Sequence, residues 1–205
     1  CPRENGEESF SLDVSYYGYE MKEMIFINSI EEHEKHKKSL LSKIDTLKEK
    51  HDLLVKGVYT DWNLSYGLLL KSQDIDLTIK RDYLDEFYSL IDPSMESMAE
   101  SLGLLSGEYR SDYRWGVTNA WFNQYSKGAE HGWHNHPGFH FTNCYYLELP
   151  DAEYKTDVVG LDGKIIEFTV KEGDVMTCPA WMKHRSKPNG PKRKTIIAFN
   201  TNYEL

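Results

Sequence analysis

Between Trp115 and Asn200 the chain falls into short runs of aromatic and β-branched residues separated by turn formers, and no other feature narrows the fold as much. The runs are Trp115–Tyr125, Phe139–Leu149, Val158-Val159, Ile165–Val170, Val175–Cys178 and Lys194–Asn200. Between them stand Ser126-Lys127-Gly128, Pro150-Asp151, Gly160-Leu161-Asp162-Gly163 and Gly173-Asp174, each a combination that favours a turn. The segment 160–163 predicts a hairpin joining 158–159 to 165–170. Parallel strands need a long crossover, usually helical, and there is neither βαβ alternation nor a Gly-rich phosphate loop. The pattern predicts a β-sandwich or barrel.

In front of these strands the period changes. Leu40, Leu41, Ile44, Leu47 and Leu54 recur at helical spacing in a Lys- and Glu-rich run, predicting an amphipathic helix over about residues 30–54. Ser29 and Glu32 form a capping-box pattern at its start, and His33, His36 and His51 are expected on its solvated face. Tyr83, Leu84, Phe87, Leu90 and Ile91 form a second stripe, which Asp92-Pro93 is expected to break. Asp92 as cap and Pro93 as first residue then predict a third helix, carrying Met95, Met98 and Leu102 into the core. Phe10–Ile27 is expected to supply one or two strands. The expected fold is mainly β with N-terminal helices (α+β): one domain of 205 residues, with helical support over 1–107 and a β core over 108–205.

Within the β core, His134 and His136 are two residues apart, so in an extended strand both side chains leave the same face. Pro137 and Gly138 then end the strand, because proline gives no amide to a ladder and glycine permits a tight turn. A third imidazole, His184, follows Gly173–Pro179, a Gly-opened, Pro-ended strand of the kind a double-stranded β-helix brings back against the first. Three neutral imidazoles suit Fe(II), Zn, Cu or Ni better than Mg or Ca. His134, His136 and His184 are therefore the expected ligands of a transition metal, with open positions for water, O2 or a chelating substrate. A 2-oxo acid chelate would bring a second carboxylate, which needs a cation when buried. Arg193 or Lys194, at the start of the final strand, can supply it, and only one of two neighbours in a strand can face inward.

The formal charge of −9 argues against nucleic acid as the main partner, since phosphate binding needs a basic face. No apolar run approaches the length of a membrane span, so no membrane partner is expected. Three cysteines, Cys1, Cys144 and Cys178, make no even disulfide framework and point to a reducing compartment, the cytoplasm.

Four stretches in order, His134-Asn135-His136-Pro137, Cys144-Tyr145-Tyr146-Leu147, Cys178-Pro179 through His184, and Lys194 through Asn200, resemble the 2-oxoglutarate and Fe(II)-dependent oxygenases. The likeness is to the small bacterial and phage branch related to prolyl hydroxylases, which reads His-x-His-Pro, Val-Tyr-Tyr-Leu, Phe-Pro-x-x-x-x-His and Arg-Ile-Ser-Ile-x-Phe-Asn. The resemblance implies a double-stranded β-helix (jelly roll, cupin-like), an Fe(II) cofactor, 2-oxoglutarate and O2 as cosubstrates, and hydroxylation of a C–H bond with release of succinate and CO2. It makes His134 and His184 iron ligands, and places His136 where the wider superfamily has Asp or Glu. Tyr146 and Tyr125 would donate to the oxoglutarate carboxylate. Lys194 matches the branch's arginine when anchored on Phe199-Asn200, and Arg193 matches when an Arg-x-Thr pattern with Thr195 is used instead. Asn123 and Asn200 would line the pocket, with Trp121, Phe141, Trp181 and Phe199 as walls. The implied location is bacterial cytoplasm, or host cytoplasm for a phage protein. The implied substrate is a peptidyl or protein side chain, with a free amino acid or small metabolite as the alternative. Helix 30–54 is expected to pack either on its own barrel or on a neighbouring copy in an oligomer.

The same histidines fit a cupin. Gly128 precedes His134-x-His136 and Gly173 precedes Pro179 at cupin-like spacings, although the expected Glu is absent and Trp181 stands at a glycine position. An oxoglutarate-independent dioxygenase or isomerase, or a non-catalytic metal-binding barrel, would use the same fold.

Overall fold

The computed structural model describes residues 25–65, 78–101 and 114–204. Ten strands and two long helices organise them. In chain order these are β1 (Phe26–Ser29), α1 (His33–Lys50), β2 (Leu54–Val55), β3 (Val58–Thr60), α2 (Tyr83–Ser101), β4 (Arg114–Tyr125), β5 (His131–His134), β6 (Phe141–Glu148), β7 (Thr156–Val158), β8 (Asp174–Pro179), β9 (His184–Ser186) and β10 (Lys194–Glu204). One seven-stranded sheet runs β1-β8-β6-β10-β4-β3-β2, and a three-stranded sheet runs β5-β9-β7. Every paired strand is antiparallel.

Strand alternation divides the large sheet into two working faces. On β10, Ile197 and Phe199 join a core with Leu40, Ile44 and Leu47 of α1 and Phe87, Ile91 and Met95 of α2. Ile196, the residue before them on the alternate face, packs instead with Tyr125, Cys144, Tyr146, Met176 and Cys178 toward the small sheet. The same switch occurs along β6, where Tyr145 and Leu147 meet the helices while Cys144 and Tyr146 turn inward. Each fully buried apolar side chain of the helical layer contributes about 1.5–3 kcal/mol, so the helices are held chiefly by their apolar stripes. Cys144 and Cys178 are buried free thiols, as their apolar settings predict.

Four local expectations are corrected. Pro93 lies inside α2, which continues unbroken through it. The buried positions Leu90, Ile91, Ser94, Met95 and Met98 run across the proline on one face, and that packing offsets a penalty of about 3 kcal/mol. Ser29 does not cap α1: its hydroxyl donates to Asp174 Oδ1 at 2.7 Å, and Glu32 occupies the cap without a side-chain bond. His33 is buried rather than solvated, its Nδ1 2.7 Å from the Tyr145 hydroxyl. Ile165–Val170 forms no strand; an isolated bridge, Val159 to Ile165, and the Ile166 amide on the Val158 carbonyl at 2.9 Å are what the hairpin amounts to. The strands expected within 10–24, and the boundary placed at 107/108, lie outside the described residues. No helix among the described residues is long and apolar enough to cross a membrane.

Candidate metal centre

His134 ends β5 and His184 opens β9, and the two are directly opposed across the β5–β9 pair. Opposed residues of an antiparallel pair hold their Cβ atoms about 5 Å apart, so the two rings meet, with centroids 4.3 Å apart. His136 lies beyond the end of β5, where its amide donates to the Ala180 carbonyl at 2.8 Å and ties the turn to the loop before β9. Its ring centroid is 5.2 Å from that of His134 and 4.9 Å from that of His184. One ligating nitrogen of each of the three lies within 4.8 Å of the others. Convergence thus comes from a cross-strand pair and a pinned turn, rather than from two side chains on one face of a continuous strand.

Each ring is oriented through Nδ1. His134 Nδ1 meets the Gly132 carbonyl at 2.7 Å, His184 Nδ1 the Met182 carbonyl at 3.1 Å, and His136 Nδ1 the Asn200 Oδ1 at 2.6 Å, with Thr142 Oγ1 at 3.0 Å. An imidazole that donates through Nδ1 carries its lone pair on Nε2, the atom left for a metal. Asn200 Nδ2 in turn donates to Asn119 Oδ1 at 2.8 Å, so the third ring has a support two residues deep. Burial, reinforced by the neighbouring imidazoles, pushes the pKa of His184 down to about 3, and burial pushes that of His136 down to about 4 despite the Asn200 bond. Burial also lowers His134. All three are neutral near pH 7, the state a ligand requires. Three neutral nitrogens with no carboxylate among them fit a divalent transition ion, and they leave its double charge unreduced.

The three histidines line a narrow cavity of about 40 Å³, partly open to solvent, shared with Trp121, Asn123, Tyr125, Thr142, Thr156, Met176, Ser186 and Ile196. Lys194 lies behind the Tyr125 and Ser186 wall, 1% exposed, donating to Ser186 Oγ at 2.5 Å and the Tyr154 carbonyl at 2.9 Å. Its Nζ is 4.4 Å from the centre of the Tyr125 ring, and among the described residues no carboxylate pairs with it. Burial lowers its pKa to about 8. Arg193 points the other way, to Glu148 Oε2 at 2.9 Å and Asp45 Oδ2 at 3.3 Å on the outer surface.

The remaining expected residues divide by face. Asn123 lines the cavity, its amide nitrogen donating to Thr60 Oγ1 at 2.8 Å and its oxygen accepting from Trp121 Nε1 at 3.1 Å. Tyr146 is buried beside the cavity but does not line it, and its hydroxyl accepts from the Thr156 amide at 3.1 Å. Thr195 is on the opposite face, donating to Glu148 Oε2 at 2.5 Å and accepting from Gln124 Nε2 at 3.2 Å. Of the expected walls, Trp121 alone lines the cavity: Phe199 packs on Phe87, Phe141 packs edge-on to Tyr203, and Trp181 is exposed. Two neighbours of the ligands went unrecognised in the sequence. His131 stacks on His134 with centroids 4.1 Å apart, and Arg185 pairs with Asp157 at 3.0 Å while lying 4.5 Å over the Trp133 ring. The one signal for either was its place beside a ligand in sequence.

No family model matches the sequence, and no curated protein matches it. Among solved structures the chain is similar to a Pseudomonas putida prolyl-4-hydroxylase, at 11% identity over 87% of this chain and 92% of that one, with a TM-score of 0.54. It is also similar to a Trichoplax adhaerens prolyl hydroxylase in complex with a hypoxia inducible factor oxygen degradation domain peptide fragment, at 14% identity over 86% and 82%, with a TM-score of 0.56. Its overlap with a 2OG-Fe(II) oxygenase family protein from Burkholderia pseudomallei is partial, 49% of this chain and 55% of that one at 15% identity, with a TM-score of 0.40. At these identities the likeness shows a shared fold. This chain carries the double-stranded β-helix of the prolyl hydroxylases, with three histidines gathered between its two sheets.

Proposed function

We propose that this chain is an Fe(II)- and 2-oxoglutarate-dependent dioxygenase that hydroxylates a C–H bond of its substrate, with succinate and CO2 as coproducts. One juxtaposition carries the reading: three imidazoles oriented to present Nε2, and, behind the wall of the same cavity, a buried ammonium that among the described residues makes no direct ion pair. His134, His136 and His184 would hold the ion. Fe(II), when bound, supplies O2 activation coupled to the oxidative decarboxylation of oxoglutarate. Lys194 would receive the distal carboxylate of the cosubstrate, since an isolated buried cation is costly until it meets an anion. Trp121 and Met176, which line the cavity, would supply apolar walls that limit water at the ion.

For the substrate, the reading is a side chain of a peptide or protein. Trp133 and Trp181 stand exposed on the segments bearing His134 and His184, and the formal charge of −9 favours basic sequences around the target. The Trichoplax enzyme that shares the fold was solved with a peptide fragment, which supports the same choice.

A donor set without a carboxylate favours a second reading, an oxoglutarate-independent metal cupin. Oxygen uptake and succinate release by the Fe(II)-loaded chain separate the two. The first reading expects succinate in proportion to added oxoglutarate, rising when a substrate peptide is present. Oxygen consumption that ignores oxoglutarate supports the second, and neither event with Fe(II) retained overturns both.

A further inference from the structure

A second group of ligand-type side chains lies on the helical side of the large sheet, away from the three histidines. His33 opens α1, Glu34 follows it, and Glu172 immediately precedes the Gly173-Asp174 turn into β8. Their ligating atoms lie within 4.8 Å of one another. His33 Nε2 is 3.7 Å from Glu172 Oε1 and 3.8 Å from Glu34 Oε1.

The imidazole supplies an observation independent of the carboxylates. His33 is only 5% exposed, its Nδ1 is engaged by the Tyr145 hydroxyl at 2.7 Å, and its Nε2 is buried without a hydrogen-bond partner. A buried polar atom left unsatisfied is costly, and here it stands between two carboxylates. The ring's seat is built for it. Gly173 has φ +89°, and a Cβ there would come within 2.9 Å of His33 Cγ. Glu172 is also placed, since its Oε2 accepts from the Leu149 amide at 2.9 Å. Lys37 donates to the other oxygen, Oε1. Two carboxylates against one ammonium leave a net charge of −1 around the ring, and Lys37, on the outer side of α1, can exchange for a stronger cation.

We propose that His33, Glu34 and Glu172 form a second divalent-metal site, of the Zn2+ class, that pins the first turn of α1 to the sheet. Ligand atoms around a tetrahedral Zn2+ with bonds of about 2.0–2.1 Å lie roughly 3.3–3.5 Å apart. The two separations from His33 Nε2 need to close by only a few tenths of an ångström. Glu34, with 86% of its side chain exposed, is free to make that movement. Glu172 would give up Lys37 and keep the Leu149 amide.

The test is a Zn2+ titration of the metal-free full chain against a chromophoric chelator, in parallel on wild type, E34Q, E172Q and H184A. Glu34 is exposed, so E34Q keeps the fold whatever happens to the others, and thermal melts confirm this for each variant. Wild type is expected to take up two equivalents. E172Q should lose one, E34Q should weaken the same one at least tenfold, and H184A should lose the other. Uptake that is identical in wild type, E34Q and E172Q overturns the proposal. A single equivalent that survives H184A but not E172Q supports it while refuting the three-histidine centre, so the two assignments fail separately.

Discussion

Replacing Asn200 by leucine tests how the three-histidine centre is built. In the intact chain Asn200 Oδ1 holds the Nδ1 proton of His136 at 2.6 Å, and its Nδ2 leans on Asn119 Oδ1 at 2.8 Å. Leucine fills a similar volume but leaves His136 with only Thr142 Oγ1, at 3.0 Å, as a weak hold on the ring. Loss of such an orienting partner typically weakens a metal site roughly 10–100-fold, which is about 1.4–2.7 kcal/mol. The fold itself should lose about 1–3 kcal/mol, the cost of stranding the Asn119 oxygen and the His136 proton. Asn200→Asp is the rescue. A carboxylate still accepts from Nδ1, and Asn119 can turn its amide to offer Nδ2, which has no partner in the native arrangement. Chelator competition with Zn2+ at pH 7.5 should rank affinities wild type and N200D together, with N200L at least tenfold weaker. If N200L binds within twofold of wild type while its melting temperature falls, Asn200 serves the fold alone and the tautomer argument is wrong.

Lys194→Met should raise the KM for oxoglutarate roughly 10–100-fold, the value of a hydrogen bond to a charged group, while Arg193→Ala leaves it unchanged, as succinate release would report. Arg193→Ala should cost the fold little, because Arg193 makes surface ion pairs worth about 0–1 kcal/mol. An R193A enzyme with impaired oxoglutarate use would reverse the assignment. Glu86 gives a pH-dependent prediction. Burial favours its neutral form, but Lys43, His36 and Ser39 outweigh that and bring its pKa down to about 2. A carboxylate whose folded pKa is depressed stabilises above its unfolded value near 4.5 and loses that contribution as pH falls toward 2. Urea unfolding should therefore show wild type about 1–2 kcal/mol more stable than E86Q near pH 6, after allowance for solvent screening, with the gap closing between pH 4.5 and pH 2. A gap that does not vary with pH would contradict the linkage.

How much of this was legible in the sequence depends on which interactions are local. The strand runs and turn residues of the β core are local, and they yield the barrel. The histidines were legible as types and spacing, but their actual geometry was not: His134 and His184 meet because β5 and β9 pair in one register, which no sequence period encodes. The choice between Arg193 and Lys194 was reducible to one residue facing inward, and which one follows from the face on which Ile196 lies. Thr195 and Phe199 were misplaced for the same reason, since they share Ile197's face toward the helices. His33 looked like one more polar residue on a charged helix, because its burial depends on Gly173 and Tyr145, both distant in sequence. Pro93 has a strong local preference for breaking a helix, and the continuous buried stripe of α2 overrides it.

The central claim is that His134, His136 and His184 bind one divalent ion through Nε2. X-ray absorption on E172Q loaded with one equivalent of Fe(II) reads that coordination directly, because the other proposed site is removed. Three imidazole nitrogens at about 2.0–2.2 Å, falling to two or to lost metal in E172Q/H184A, is the predicted result. A first shell of oxygen alone, or a spectrum that the H184A change leaves untouched, would contradict it.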